Sequence, residues 1–344
     1  MKVAENPSLR ALNTFGVDAR AAFRIDIESE EEVLALPAFD AKRDLLLGGG
    51  SNVLLVSDVP GTVYLNRIKG REVIEQADGV AVVEVGAGEN WHDFVGWCLD
   101  RGYSGIENLS LIPGSAGAAP MQNIGAYGVE LSSMLVSVTA WDWQTQKWRA
   151  FSREECRFGY RDSRFKSDEP NRFLITSLRL ALNLDFKLQL HYSGLVEELG
   201  GRASDQLSAR EVSEAVIRIR RRKLPDPARV GNAGSFFKNP VVSEGDARDL
   251  LAKHPQMPHW RAGDGKTKLA AAWMIDRLGL KGQSEGGAFV SERHALVLVN
   301  RERATGEAIW RLARRVQEAV EDVFGIRLEP EPRIVDFSLI QPLE

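Results

Sequence analysis

PGSAGAAPMQNIGAYG, residues 113–128, decides how this chain is read. These sixteen residues hold four glycines, four alanines and two prolines, with little side-chain bulk before Tyr127. A structural loop has no use for so many small residues in succession. A backbone passing close beside a flat, extended ligand requires them. Two other glycine segments frame it. DLLLGGGSNVLLV (44–56) reads as strand, glycine loop, strand. Successive backbone N–H groups at Gly48, Gly49, Gly50, Ser51 and Asn52 suit a pyrophosphate, although a tight turn is the simpler account of this loop alone. It lacks GK[ST] and opens no helix, so it is neither a Walker loop nor a dinucleotide fingerprint. VEVGAGENW (83–91) imitates that fingerprint, but Trp91 holds the third glycine position, and the segment reads as a turn.

Outward from these loops the chain alternates strands and helices. Strand signals fall at 63–65, 80–85, 134–142, 173–184, 295–299 and 333–336. Helices are expected at 90–99 with Asn90 as N-cap, and at 208–223, 245–254, 268–278 and 304–323. At 344 residues the chain exceeds a single core; the expected divisions are 1–65, 66–215 and 216–344. An apolar fraction of 44% and a net charge of −4 describe an ordinary globular protein without a basic footprint for nucleic acid. The basic helix SAREVSEAVIRIRRRK (208–223) then reads as a solvated face or a seat for a small anion. No apolar run is long enough for a membrane span and no secretory signal opens the chain. Cys98 and Cys156 stand far apart, and the five histidines show no ligating spacing. No metal and a reducing, cytoplasmic setting are expected.

Three polar segments carry candidate chemistry. FGYRDSRFK (158–166) presents Tyr160 and Arg161, whose guanidinium suits a planar carboxylate. GNAGSFFKNP (231–240) sets Ser235 between glycines and two phenylalanines, without the GxSxG elbow of a hydrolase. LEPEPR (328–333) fixes Glu329 and Glu331 between prolines. Singly, a surface arginine, an inert hydroxyl and a polar tail are the better accounts.

Their order together is specific. NTFG (13–16), GGGSNVLL (48–55), GAGENWHDFV (86–95), GIENLSLIPGSAGAAPMQNIGAYGVEL (105–131), CRFGYRDSRFK (156–166), KLPDP (223–227), GNAGSFFKNPVV (231–242), KLAAAWMID (268–276) and LEPE (328–331) resemble the UDP-N-acetylenolpyruvoylglucosamine reductase family. The resemblance implies an α+β protein. A two-part FAD-binding region of the vanillyl-alcohol-oxidase (PCMH) type precedes a C-terminal α+β substrate domain, whose last segment returns to the FAD region. It places non-covalent FAD against Gly48–Asn52 and against Pro113, Gly114, Ser115, Gly117, Asn123, Gly125, Ala126 and Tyr127, with Arg220 and Arg333 near the cofactor. It assigns catalysis to Arg161, Ser235 and Glu331. Substrate binding falls to Tyr160, Tyr192, Lys223 and Asn239, with Tyr192 in the loop of the longer family type. Gly49, Ser115 and His294 stand where some relatives carry Glu, Cys and Gln.

The implied activity reduces UDP-N-acetylglucosamine enolpyruvate to UDP-N-acetylmuramate for peptidoglycan synthesis. NADPH is the co-substrate, taken in the same pocket as the UDP-sugar, and a monomer is expected. Hydride from flavin N5 goes to C3, charge spreads over C2 and the carboxylate, and Ser235 protonates C2. Fixed donors aimed at that charge, Arg161 and a protonated Glu331, are the main requirement. A flavin oxidase of the same fold would share the glycine loops without using Ser235 or Glu331. A nucleotide-binding scaffold would use none of the three.

Overall fold

In the computed structural model, residues 1–185, 193–202, 207–263 and 265–338 are described. Tyr192 lies outside them. The chain groups into two compact units that interleave in sequence. One holds Met1–Pro7, Ala21–Gly50 and Val59–Arg222; the other holds Ser8–Arg20, Ser51–Asp58 and Lys223–Glu344.

The first unit contains two main sheets. VAVVEVG alternates strictly, burying Ala81, Val83 and Val85, and becomes the strand Val80–Gly86. It lies between Phe173–Asn183 and Arg71–Ala77 in a five-stranded antiparallel sheet completed by Leu135–Asp142 and Lys147–Ser152. The helix Trp91–Leu99 packs Trp91, Phe94, Val95 and Cys98 into this sheet's core. Asn90 caps it, its side chain accepting from the Asp93 N–H at 3.0 Å. The second sheet orders Lys2–Glu5, Ala21–Ile27, Val59–Asn66 and Leu45–Leu47, the first pair antiparallel and the others parallel. The helix Ala209–Lys223 buries Val212, Ala215, Val216 and Ile219 against Leu195 and Leu199 and leaves Arg210, Arg218, Arg221 and Arg222 exposed, with Arg220 half-buried.

The second unit is built from short pieces. Arg333–Val335 pairs in parallel with Val53–Leu55. The helix Gly306–Phe324 is capped by Thr305, whose hydroxyl accepts from the Ala308 N–H, and ends at left-handed Gly325. Its first residue admits no side chain, since a Cβ on Gly306 would stand 1.7 Å from the Leu55 carbonyl oxygen. The expected helix at 268–278 starts later. Lys266–Leu269 is the middle strand between Val241–Ser243 and His259–Arg261, and the helix spans Ala271–Arg277. Pairing on both edges takes KTKL out of the helix. Among the described residues no helix is long and apolar enough to cross a membrane.

One ion pair secures the larger sheet. Asp142 is wholly buried, and Arg172 donates to both its oxygens at 3.0 and 2.7 Å. Burial alone would raise this carboxyl, but the Arg172 bonds and N–H groups of Gln144 and Thr145 prevail and hold it down at about 2. The folded pKa is depressed, so the stabilisation is present above the ordinary value of 3.8 and is lost as pH falls towards 2. Thermal unfolding followed across that range should show this acid loss. Asp142→Asn should lower the unfolding temperature at neutral pH and flatten that part of the profile.

Candidate functional site

In the first unit the glycine loops meet backbone to backbone. A Cβ on Gly49 would stand 2.7 Å from Gly114 Cα, and one on Gly48 2.4 Å from Ser115 Oγ. The Gly49 N–H donates to that hydroxyl at 3.2 Å. The longer loop is stapled to the segment entering the Trp91 helix. Trp91 N–H donates to Gly114 O (3.0 Å), Ala116 N–H to Glu89 O (2.8 Å) and Gly117 N–H to Ala87 O (2.8 Å). The indole N–H of Trp91 donates to Leu109 O at 3.0 Å. Gly117 is pressed so close that a Cβ would meet the Ala87 methyl at 2.5 Å.

This loop is also more ordered than its composition suggests. Ala116–Gln122 forms a 3-10 helix that ends at left-handed Asn123. The Asn123 amide is fully used, donating to Glu130 Oε2 (2.9 Å) and Gly159 O (3.3 Å) while its oxygen accepts from Ser132 N–H (2.9 Å). Gly125–Ala126 and Val129–Glu130 then pair across a two-residue turn, Tyr127 and Gly128, both with positive φ. Arg161 reaches this hairpin from the tight turn at Gly159–Asp162. Its Nη2 donates to Gly125 O at 2.7 Å, and its guanidinium carbon lies 5.5 Å from the Tyr160 ring centre. Arg220 lies near Tyr127 and feels the Arg161 charge; burial is the main influence lowering its pKa. Gly48–Gly50, Ser115, Gly125, Tyr127, Arg161 and Arg220 are thus all carried by the first unit.

In the second unit, residues 235–238 run between two other segments. Ser235 bridges Val297, and Phe236 N–H donates to Leu296 O at 2.7 Å. On the opposite edge Glu331 N–H donates to Phe236 O (2.8 Å) and Lys238 N–H to Glu329 O (2.9 Å). Ser235 and Glu331 therefore sit on hydrogen-bonded neighbours. Phe236 and Phe237, both buried, fasten the segment from beneath. Asn52 ties in as well. Its amide donates to Glu331 O at 3.2 Å, and its own carbonyl accepts from Arg333 N–H at 3.0 Å. The oxygen of Asn239 accepts from Ala271 N–H at 3.1 Å, capping the helix there. That leaves the Asn239 –NH₂ as the end available to an anion. His294 has its pKa lowered first by burial and then by Lys223 and Lys281.

Do these residues fit an anionic dinucleotide? Arg220 and Arg333 are half-buried, burial lowers both pKa values, and no carboxylate among the described residues pairs with either. Such groups are costly unless an anion joins them. The fit is good. Trp91, whose backbone and indole N–H groups hold Gly114 O and Leu109 O, was not read as a site residue; its only sequence signal is its place directly behind GAGEN.

Residues 22–148 match the model of an FAD binding domain, and residues 226–335 match "UDP-N-acetylenolpyruvoylglucosamine reductase, C-terminal domain". A protein of that name from Azoarcus sp. (strain BH72) is 49% identical over 342 residues, covering 97% of this chain and 98% of its own length. One from Pseudomonas aeruginosa is 47% identical over 337 residues, covering 97% and 99%. The crystal structure of the UDP-N-acetylenolpyruvylglucosamine reductase of Thermus caldophilus matches with a TM-score of 0.69 at 26% identity, over 98% of this chain and all of that one. The expected fold class, an α+β FAD-binding region followed by a C-terminal domain, is the one found. Gly117→Ala should strain the long loop against Ala87, by roughly 1–3 kcal/mol. Purified protein should stay folded by circular dichroism and hold at least about tenfold less tightly to FAD.

Proposed function

The chain belongs to the UDP-N-acetylenolpyruvoylglucosamine reductase family, and from that premise we propose that this flavin-dependent oxidoreductase converts UDP-N-acetylglucosamine enolpyruvate to UDP-N-acetylmuramate with NADPH, a step of bacterial peptidoglycan synthesis. The observation that carries the chemistry is the pairing of the Ser235 and Glu331 segments through Glu331 N–H and Phe236 O. A proton donor and a carboxyl group held on one small sheet suit a reduction that must also protonate carbon. Oxidation of an alcohol makes no such demand.

FAD would be held non-covalently by the N–H groups of Gly48–Asn52, by the small-residue face of Pro113–Tyr127, and by the charges of Arg220 and Arg333. When bound it would supply hydride-transfer chemistry, linking oxidation of NADPH to reduction of the enolpyruvyl group. Arg161 is assigned to the substrate carboxylate. Negative charge develops there as hydride arrives, and a fixed guanidinium stabilises it without reorganising. Its left-handed backbone, φ 55°, and its bond to Gly125 O fix the side chain before substrate binds. Ser235 delivers its hydroxyl proton to C2, whose carbanion character makes even a weak acid sufficient. Glu331 shares with Arg161 the care of the developing charge. Lys223 and the Asn239 –NH₂ offer donors to the diphosphate, with Tyr160 and Tyr192 completing substrate contact. NADPH and the UDP-sugar alternate, which implies ping-pong kinetics in a cytoplasmic, monomeric enzyme.

The test is spectroscopic. Under anaerobic conditions NADPH should bleach the visible flavin absorbance, and UDP-N-acetylglucosamine enolpyruvate should restore it. Ser235→Ala should bleach at the normal rate and recover roughly 10²–10⁴-fold more slowly. Bleaching without recovery in the unaltered protein would sink the reductase reading and leave an oxidase. A protein that holds no FAD when supplied with it would sink both.

A further inference from the structure

Leu111 precedes the flavin-facing loop by two residues and has a φ of 58°, in the left-handed region that a leucine side chain disfavours. Both polar groups of this residue are taken by side chains. Its N–H donates to His92 Nδ1 at 3.1 Å, and its carbonyl accepts from Arg220 Nε at 3.2 Å. The residue before it is fastened too. Ser110 Oγ lies 2.7 Å from both Glu107 O and Ser213 Oγ, deep in the first unit. The turn therefore stands between the helix Trp91–Leu99, which carries His92, and the helix Ala209–Lys223, which carries Ser213 and Arg220.

Resting on the reading that these loops hold FAD, we propose that His92 is a positioning residue for the cofactor: its unprotonated Nδ1, opposite the Arg220 guanidinium, locks the Leu111 turn and so sets where Pro113–Ser115 and Arg220 stand. An acceptor nitrogen holds the peptide before the Leu111 Cα and a donor holds the peptide after it, so the residue is fixed from both sides. The donor is the same arginine that lacks a carboxylate partner, so the turn and the cation are placed together. If Nδ1 gains a proton, two N–H groups face each other and the bond is lost.

Several charged groups face this imidazole. Asp93 and Asp100 belong to its own helix. Arg210, Glu214, Arg220 and Arg221 come from the helix opposite, and Arg71 from the neighbouring strand. Arg71 is engaged by Glu89, and Arg210 by Asp100. Burial is the largest influence and lowers the His92 pKa; Asp93 opposes it, and Arg221 and Arg220 lower it further. His92 also lines a cavity of about 450 Å³ with Arg71, Trp97, Arg210 and Glu214, through which protons reach the ring. At neutral pH the acceptor is in place, and acid removes it.

The experiment measures FAD affinity of apoprotein by quenching of flavin fluorescence, from about pH 8 to about pH 5, the span in which histidine titrates. Wild type should weaken as pH falls. His92→Asn keeps an acceptor oxygen near the Nδ1 position and cannot titrate, so it should bind near wild-type strength at pH 8 and lose this acid-dependent weakening. His92→Leu should bind about tenfold more weakly at pH 8, the loss of one buried hydrogen bond, and show no further acid loss of its own. Tight binding by His92→Leu at pH 8, or an acid profile of His92→Asn identical to wild type, would overturn the proposal. Should His92→Leu fail to fold, the comparison of His92→Asn with wild type still decides. If wild type itself binds no FAD, the flavoprotein reading fails, and this one with it.

Discussion

Everything in the first unit's site depends on two stretches of backbone touching without side chains between them. Gly48–Gly49 comes off the end of the strand Leu45–Leu47, and Gly114–Ser115 is hung from the segment that follows Val80–Gly86. The sheets that carry them are different, so the contact fixes one sheet's loop against the other's. A Cβ on Gly48 or Gly49 would part them. Ser115 Oγ accepts the Gly49 N–H at the same point, so the contact is hydrogen-bonded as well as packed.

The charges follow a similar division of labour. Where an arginine serves the scaffold, it is neutralised. Arg172 answers Asp142, Arg164 answers Glu169, and Arg218 and Arg222 share Glu198. Arg220, within two residues of both members of that last pair, is given a carbonyl in place of a carboxylate. The basic helix, read as either a solvated face or an anion seat, carries ion pairs with protein acids on its exposed face. Arg210, Arg218 and Arg222 are matched by protein acids, whereas the half-buried Arg220 bonds a carbonyl.

What the sequence made legible was mainly what side chains encode directly. Strict alternation announced Val80–Gly86 and Asn90 announced its helix; the small residues of 113–128 announced a closely approached backbone, whereas 48–50, read alone as most simply a tight turn, supplies the loop that meets it. Partnerships across long separations were not legible. Nothing in LEPEPR says that Glu331 lies alongside Phe236, since that depends on a segment pairing set by the whole unit. KTKL reads equally as the start of a helix until strands on both sides claim its backbone. Arg218, Arg220 and Arg222 are indistinguishable as letters; only the position of Glu198 separates them. The same holds for His92, whose value lies in a bond to a residue 19 positions away.

The interleaving of the two units governs how this chain must be made. It passes from one unit to the other five times, at 7/8, 20/21, 50/51, 58/59 and 222/223. The strand Val53–Leu55 emerges early in synthesis, yet its parallel partner Arg333–Val335 follows only after the whole of the first unit. Until then an apolar strand and the backbone that Gly306 will cover remain without their final neighbours. Long-range closures of this kind slow folding and expose sticky edges. Loss of Arg333–Val335 should therefore harm the loop region around Val53–Leu55 as surely as a lesion within it, and a chain cut at 222/223 would keep the first unit whole while parting the second from Ser8–Arg20 and Ser51–Asp58.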